Sequence, residues 1–216
     1  MPDTSILAVP IARSPIKVPG PRSVIAGWEV STRRSAAALR LADASPLAKL
    51  GIRADAESAF ARDLDVPFLG SRREDDVLIV GSGPGEWLLI SSAGSLERLH
   101  ERVQDRSGDD FVTAVDLTHG RALMRMTGHA AARALAKVCA IDLDDAVTPG
   151  GTAFRTSVAK IATDVVRDDA GAGTGEPSYL LHCERSSGQY LFDCLLDAGR
   201  EFGVEPAGSD LHGKGA

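Results

Sequence analysis

Between residues 115 and 147 the hydrophobic period of the chain changes at a single glycine, which leaves little freedom in how the region folds. In residues 121–127, Ala122, Met124 and Met126 alternate with Arg121, Leu123, Arg125 and Thr127, the two-residue period of a half-buried strand. Gly128 interrupts it. Over residues 129–138 the apolar positions become Ala131, Ala134, Leu135 and Val138, one stripe of an alanine-rich helix. The expected unit is a strand feeding a helix that lies back on a sheet. Asp116-Leu117-Thr118-His119 precedes the strand and Cys139-Ala140-Ile141-Asp142-Leu143 follows the helix. In Thr148-Pro149-Gly150-Gly151, proline at i+1 and Gly150 at i+2 predict a type II turn.

A chain of 216 residues suffices for one generous domain or two small lobes sharing a core. Its 44% hydrophobic and 25% charged residues are those of an ordinary globular protein, and no apolar run reaches the 18 or so residues that span a bilayer. No basic segment followed by an apolar one marks a secretion signal, so the expected location is cytoplasmic. With a net charge of −6 and both signs interspersed, the composition argues against a nucleic-acid partner, which requires clustered Lys and Arg. Cys139, Cys183 and Cys194 are too few and too irregular for a disulfide framework or a metal site and read as reduced thiols.

Residues 1–24 hold Pro2, Pro10, Pro15, Pro19 and Pro21, five of the eleven prolines, and the expectation for residues 1–44 is an extended arm. Two readings stand: a frayed tail, or an arm lying along a partner through Ile6, Leu7, Val9, Ile11, Ile16 and Val18. The compact domain is expected over residues 45–204, opening with Ser45-Pro46-Leu47. A flexible tail is expected over residues 205–216. Within the domain, residues 77–80 and 87–90 are apolar runs joined by Gly81-Ser82-Gly83-Pro84-Gly85-Glu86. This passes from strand to strand and lacks Gly-Lys-Ser/Thr, so it reads as a hairpin and not as a phosphate loop. Residues 91–95 are expected to cap a helix running to Val103, and residues 168–178 to form a mobile loop. Trp87-Leu88-Leu89-Ile90 and Tyr179-Leu180-Leu181-His182, each followed by a helical stripe, suggest two copies of one strand–helix unit 92 positions apart. The expected class is α+β: mainly antiparallel sheets with helices packed on one face and two similar strand–helix lobes.

The chemistry-bearing residues form no recognisable machine. The five histidines are scattered, with no metal-ligand spacing. His119 follows Asp116-Leu117-Thr118, where side-chain-to-backbone bonds fixing a turn are the stronger explanation than acid–base chemistry. Asp142, between Ile141 and Leu143, is either a carboxylate of raised pKa or a solvated helix-end aspartate like Asp144 and Asp145. No catalytic, cofactor-binding or metal residue is assigned on these grounds.

Several of these segments, in order and spacing, resemble the gamma subunit of heterotetrameric sarcosine oxidase: Ser45-Pro46-Leu47, residues 83–89, Val115-Asp116-Leu117-Thr118 with Arg121-Ala122-Leu123, and Cys139-Ala140-Ile141-Asp142-Leu143. Pro149-Gly150, Tyr179-Leu180-Leu181 and residues 191–198 complete the resemblance. That family is similar in turn to part of the aminomethyltransferase T-protein, whose folate-binding domain supplies the expected fold. There an aspartate in a Thr-Asn-Asp setting serves one-carbon transfer; Asp142 takes that place here, behind Ala140-Ile141. The resemblance implies a non-catalytic gamma subunit that stabilises the large alpha subunit beside beta and delta. The complex would oxidise sarcosine to glycine, releasing hydrogen peroxide and forming 5,10-methylenetetrahydrofolate. FAD, FMN, NAD, zinc and tetrahydrofolate would be bound by partner subunits and none by this chain. The alternative is a small tetrahydrofolate-dependent transferase, or a subunit of a related N-methyl amine demethylase, with Asp142 as the working carboxylate.

Overall fold

The computed structural model describes residues 10–209 and 211. Elements are numbered in chain order. The first three strands, β1 (Ala12–Arg13), β2 (Arg22–Ile25) and β3 (Trp28–Ser31), form a small sheet in the order β1-β3-β2. They are followed by β4 (Arg40–Asp43), β5 (Ala48–Arg53), α1 (Ala59–Leu64), β6 (Ser71–Glu74), β7 (Val77–Gly83), β8 (Glu86–Ser91), α2 (Leu96–Ser107) and β9 (Thr113–Asp116). The remaining elements are β10 (Arg121–Thr127), α3 (Ala131–Leu135), β11 (Ala153–Val158), β12 (Ile161–Arg167), α4 (Asp169–Ala172), β13 (Ser178–Glu184), α5 (Gly188–Gly199) and β14 (Glu205–Ala207). No helix among the described residues is long and apolar enough to cross a membrane.

Two larger sheets carry the fold, in the orders β6-β7-β8-β5-β9 and β11-β12-β13-β10-β4-β14. Apart from the β14–β4 pair, all their neighbours run antiparallel. Remove β4 and the two orders are the same, each strand of one sheet answering the strand five places later. α1 and α3 then occupy matching positions after the first strand of each unit, and α2 and α5 before the last. The strand–helix repeat suggested by Trp87 and Tyr179 is thus a duplication of the whole β-α-β-β-β-α-β unit.

Alternation along the strands sorts the side chains into layers. Ala122, Met124, Met126, Leu181 and Cys183 pack against α3 and α5, through Ala131, Ala134, Leu135, Leu191, Phe192 and Leu195. Val77, Ile79, Trp87 and Leu89 pack against α1 and α2, through Phe60, Leu64, Leu99 and Val103. The intervening residues Leu78, Val80, Leu88 and Ile90 meet Leu123, Val166 and Leu180 of the other sheet. The layers run helix, sheet, sheet, helix, with each sheet covered by helices on one face. Each fully buried Leu, Ile or Phe contributes about 1.5–3 kcal/mol of transfer free energy.

Several boundaries differ from the sequence expectation. The body does not begin at residue 45: Ile16, Val18, Leu39 and Leu41 are buried in the helix-side core, and β4 lies between β10 and β14. Ile16 and Val18 of the supposed arm bury against their own chain, whereas Val24 and Ile25 on β2 stay exposed, and Pro15, Pro19 and Pro21 stand between strands. Residues 1–9 of that arm lie outside the described residues. The flexible tail likewise contains β14, paired with β4; residues 210 and 212–216 of it lie outside the described residues.

The expected helix over residues 129–138 shrinks to the five residues of α3, because the chain turns to bridge Cys139 to Val158. Gly128, at φ 137°, makes the preceding corner, and a Cβ there would stand 2.1 Å from the Ala38 carbonyl oxygen. The turn after Thr148 sits one residue later than expected: Thr152 N–H donates to the Pro149 carbonyl at 3.1 Å, and the positive φ of 88° at i+2 belongs to Gly151. α2 continues to Ser107, past Val103, and Ser95 bonds the Ser92 carbonyl instead of capping a helix amide. Within the expected 168–178 loop, Asp168 is buried and its side chain caps α4 by accepting from Gly171 N–H. The Gly81–Glu86 segment is the expected hairpin, turning at Pro84-Gly85.

Candidate functional site

The inward faces of the two sheets do not meet everywhere. A cavity of about 430 Å³ remains between them, bordered by Gly51, Arg53 and Leu88 on one side and Arg121, Asp164 and His182 on the other. Strand register builds its polar wall. Arg155 on β11 is the cross-strand partner of Asp164 on β12, and Asp164 is the partner of His182 on β13. Val166 and Leu180, two residues away on these strands, belong to the inter-sheet core, so all three polar side chains project toward the second sheet.

The row is hydrogen-bonded along its length. Arg155 donates to Asp164 through Nε (2.5 Å to Oδ1) and Nη2 (3.2 Å to Oδ2). His182 Nδ1 lies 3.4 Å from Asp164 Oδ2. Burial by itself would raise the Asp164 carboxyl, but bonds from His182 and Arg155 and their charges outweigh it and bring the pKa down to about 2. His182 is 4% exposed, and burial lowers its pKa against the opposing pull of Asp164. The pair at neutral pH is therefore an ionised aspartate and a neutral imidazole. His182 Nε2 is buried and has no hydrogen-bond partner among the described residues.

Beyond this row, the end of β4 and the start of β5 hold a second buried charged cluster. Lys49 is fully buried, its Nζ donating to the carbonyls of Ser45 and Leu47, each at 2.8 Å. Burial brings its pKa down to about 7, against the attraction of Asp43 and Asp116. Asp43 beside it is raised, again mainly by burial.

The carboxylate singled out in the sequence is not in the cavity. Asp142 is exposed and accepts a hydrogen bond from Asp144 N–H at 3.0 Å, a local turn that leaves it solvated, the second of the two readings the sequence offers. His119 stacks on Trp28 with ring centroids 4.6 Å apart. Asp116 accepts from Thr118 N–H at 2.8 Å, and Thr118 Oγ1 accepts from Lys49 N–H at 3.1 Å, the turn-fixing role expected of this segment. The three cysteines are free, and no group of three or more potential metal ligands forms among the described residues. Sequence reasoning missed Arg155, Asp164 and His182. The available signal was a polar residue at an inward position of an apolar strand, Asp164 before Val165-Val166 and His182 after Leu180-Leu181.

Residues 71–211, which hold this row and all strands from β6 onward, match the model of the GCVT N-terminal domain. The chain belongs to the GCVT N-terminal domain family. Among its relatives, the aminomethyltransferase of Geobacillus thermodenitrificans is 32% identical over 134 residues, and that of Moorella thermoacetica 26% identical over 134. In both cases the match takes in 62% of this chain and 35% of the relative, so this GCVT-type chain spans about a third of the length of the curated relatives it matches. Aminomethyltransferase T of the glycine cleavage system from Bartonella henselae has the same fold (TM-score 0.71, 18% identity, 92% of this chain and 60% of that one). A chain of the heterotetrameric sarcosine oxidase from Corynebacterium sp. U-96, solved with pyrrole 2-carboxylate, also shares it (TM-score 0.66, 24% identity, 81% of this chain and 90% of that one).

Proposed function

We propose that this GCVT-type chain is a non-catalytic, gamma-type subunit of a sarcosine-oxidase-like complex, where it stabilises the large alpha subunit. The observation that carries this reading is one of extent. Its fold accounts for 90% of a chain in the sarcosine oxidase heterotetramer, against 60% of aminomethyltransferase T from Bartonella henselae. In such an assembly the complex oxidises sarcosine to glycine, releases hydrogen peroxide and forms 5,10-methylenetetrahydrofolate. Alpha, beta and delta partners carry FAD, FMN, NAD, zinc and tetrahydrofolate. Purification of the untagged chain from its own cells, with an absorption spectrum and a count of co-eluting chains, tests it. Three further subunits and a flavin spectrum are the expected result; a colourless, solitary protein overturns it.

A second reading, one-carbon transfer on tetrahydrofolate, is favoured by the ionised carboxylate in the inter-sheet cavity. Asp164, and not Asp142, is then the working group, since a fixed carboxylate stabilises positive charge developing on a nitrogen that exchanges a one-carbon unit. Tetrahydrofolate binding to the full chain, weakened by Asp164→Asn and unchanged by Asp142→Asn, is its expected signature.

A further inference from the structure

Three of the four edges of the two large sheets are joined to further chain. Ser71 N–H at the start of β6 donates to the Gly151 carbonyl at 2.7 Å. Along β11, Ala153 N–H donates to the Leu69 carbonyl at 2.9 Å, and Ala159 N–H, just past the strand, donates to that of Val138 at 2.8 Å. After β14, Gly208 and Ser209 donate to the carbonyls of Arg33 and Ser31 at 2.7 and 2.9 Å. The fourth edge, β9, pairs on one side only, with β5.

Register fixes which groups this leaves open. Leu117 N–H donates to the Lys49 carbonyl at 2.9 Å, and bonded residues alternate along an antiparallel pair. Thr113 and Val115 therefore face β5, while Ala114 and Asp116 direct their N–H and C=O groups away from it. Neither residue has a backbone partner on that side among the described residues. An open edge is a template for another strand, and chains that avoid pairing blunt it with Lys, Pro or a bulge. Residues 113–116 carry no Lys, no Pro and no register shift. Val115 is 52% exposed and Phe111, just before the strand, 88%.

The charge beside this edge is one-sided. Asp110 accepts from Phe60 N–H at the start of α1 at 2.7 Å, and Asp55 accepts from Glu57 N–H at 2.8 Å in the turn that leads into α1. Arg53 is the cross-strand partner of Thr113, so Asp55 and Glu57 gather with Asp109 and Asp110 at the end where β9 begins. The neighbouring guanidinium groups are used elsewhere: Arg53 pairs with Glu86, Arg106 with Asp63 and Glu74, and Arg62 donates to the Glu57 main-chain carbonyl.

We propose that β9 receives an antiparallel strand from a partner polypeptide, apolar where it meets Phe111 and Val115 and carrying Lys or Arg at its C-terminal end, beside Asp109. Main-chain bonds to Ala114 and Asp116 supply the pairing, and the carboxylates set its direction. The inference rests on the reading of the chain as a subunit of a complex, and adds the surface used and the chemistry of the segment that binds.

The test uses the complex purified from its own cells and amide hydrogen exchange resolved to single residues. The amides of Ala114 and Asp116 are expected to exchange about tenfold or more slowly in the complex than in the full-length chain alone, whereas those of Thr113 and Val115, already bonded to β5, change less. Phe111→Ser and Asp109→Lys alter exposed side chains, so the melting temperature of the isolated chain should stand. Phe111→Ser should weaken subunit association about tenfold or more, as loss of an aromatic anchor does. Asp109→Lys should weaken it by a factor that shrinks as salt is raised. A solitary parent chain overturns the subunit reading and this inference together. A complex in which Ala114 and Asp116 exchange as fast as in the free chain, or in which both variants associate like the parent, overturns this inference alone. Protection of those amides that grows with the concentration of the isolated chain assigns the edge to a second copy and also overturns it.

Discussion

Arg73 on the edge strand β6 grips Asp168, just past the end of β12, with two parallel bonds, Nε to Oδ1 at 2.8 Å and Nη2 to Oδ2 at 2.6 Å, and so joins the two large sheets through one carboxylate. Asp168 is 4% exposed and also receives Arg125 Nη2 at 3.0 Å and Gly171 N–H at 3.1 Å. A buried carboxylate shared by two guanidinium groups has little tolerance for losing its charge. Asp168→Ala is expected to lower unfolding free energy by about 3–5 kcal/mol, as removal of one partner from a buried ion pair does. Urea denaturation of the purified variant measures it, and a loss below about 1 kcal/mol would show that the pair carries no such load.

Lys49 gives the protein an alkaline signature. Its pKa falls from 10.5 to about 7 in the folded chain, so between those values the unfolded state binds the extra proton. Stability contributed through this group therefore rises with pH across that window, by up to about 1.4 kcal/mol per unit. Lys49→Met is expected to flatten the slope of unfolding free energy between pH 7 and 10. An unchanged slope would assign the lysine an ordinary pKa.

Asp164 sets the opposite limb. Its pKa drops from 3.8 to about 2, so its contribution is complete above the unfolded value and disappears as pH falls through the folded one. The shift corresponds to about 2 kcal/mol at neutral pH. Asp164→Asn should lose about that much at pH 7 and show less additional destabilisation between pH 4 and 2 than the parent, in denaturant titrations at matched ionic strength.

Ile16 and Val18 change the expected outcome of truncation. An arm lying only on a partner would be removable without harm to the isolated fold, whereas both residues are buried in the helix-side core of this chain. Deleting residues 1–24 is therefore expected to destabilise the isolated protein, and Ile16→Ala alone to cost about 2–4 kcal/mol. Thermal melts of the two variants decide it, with unchanged melting temperatures restoring the separable arm.

The period-2 run through Met124 and Met126, the break at Gly128 and the hairpin at Pro84-Gly85 were legible in the sequence because each depends on neighbours within a few residues. Alternation also announced α+β layering, and the likeness of the Trp87 and Tyr179 segments announced a repeat. Which residues share a cavity is a different kind of fact. Arg155, Asp164 and His182 lie up to 27 positions apart and become neighbours only through the register of β11, β12 and β13. The apolar sequence neighbours of Asp142 leave open whether it is buried or solvated, and a turn exposes it, while Asp164 is buried by a second sheet from another part of the chain. Local pattern determines how a segment folds, since hydrogen bonding and side-chain alternation act over short range. Burial, charge balance and the pKa of a side chain were decided only when the sheets closed over it, because desolvation depends on every segment that excludes water from the site.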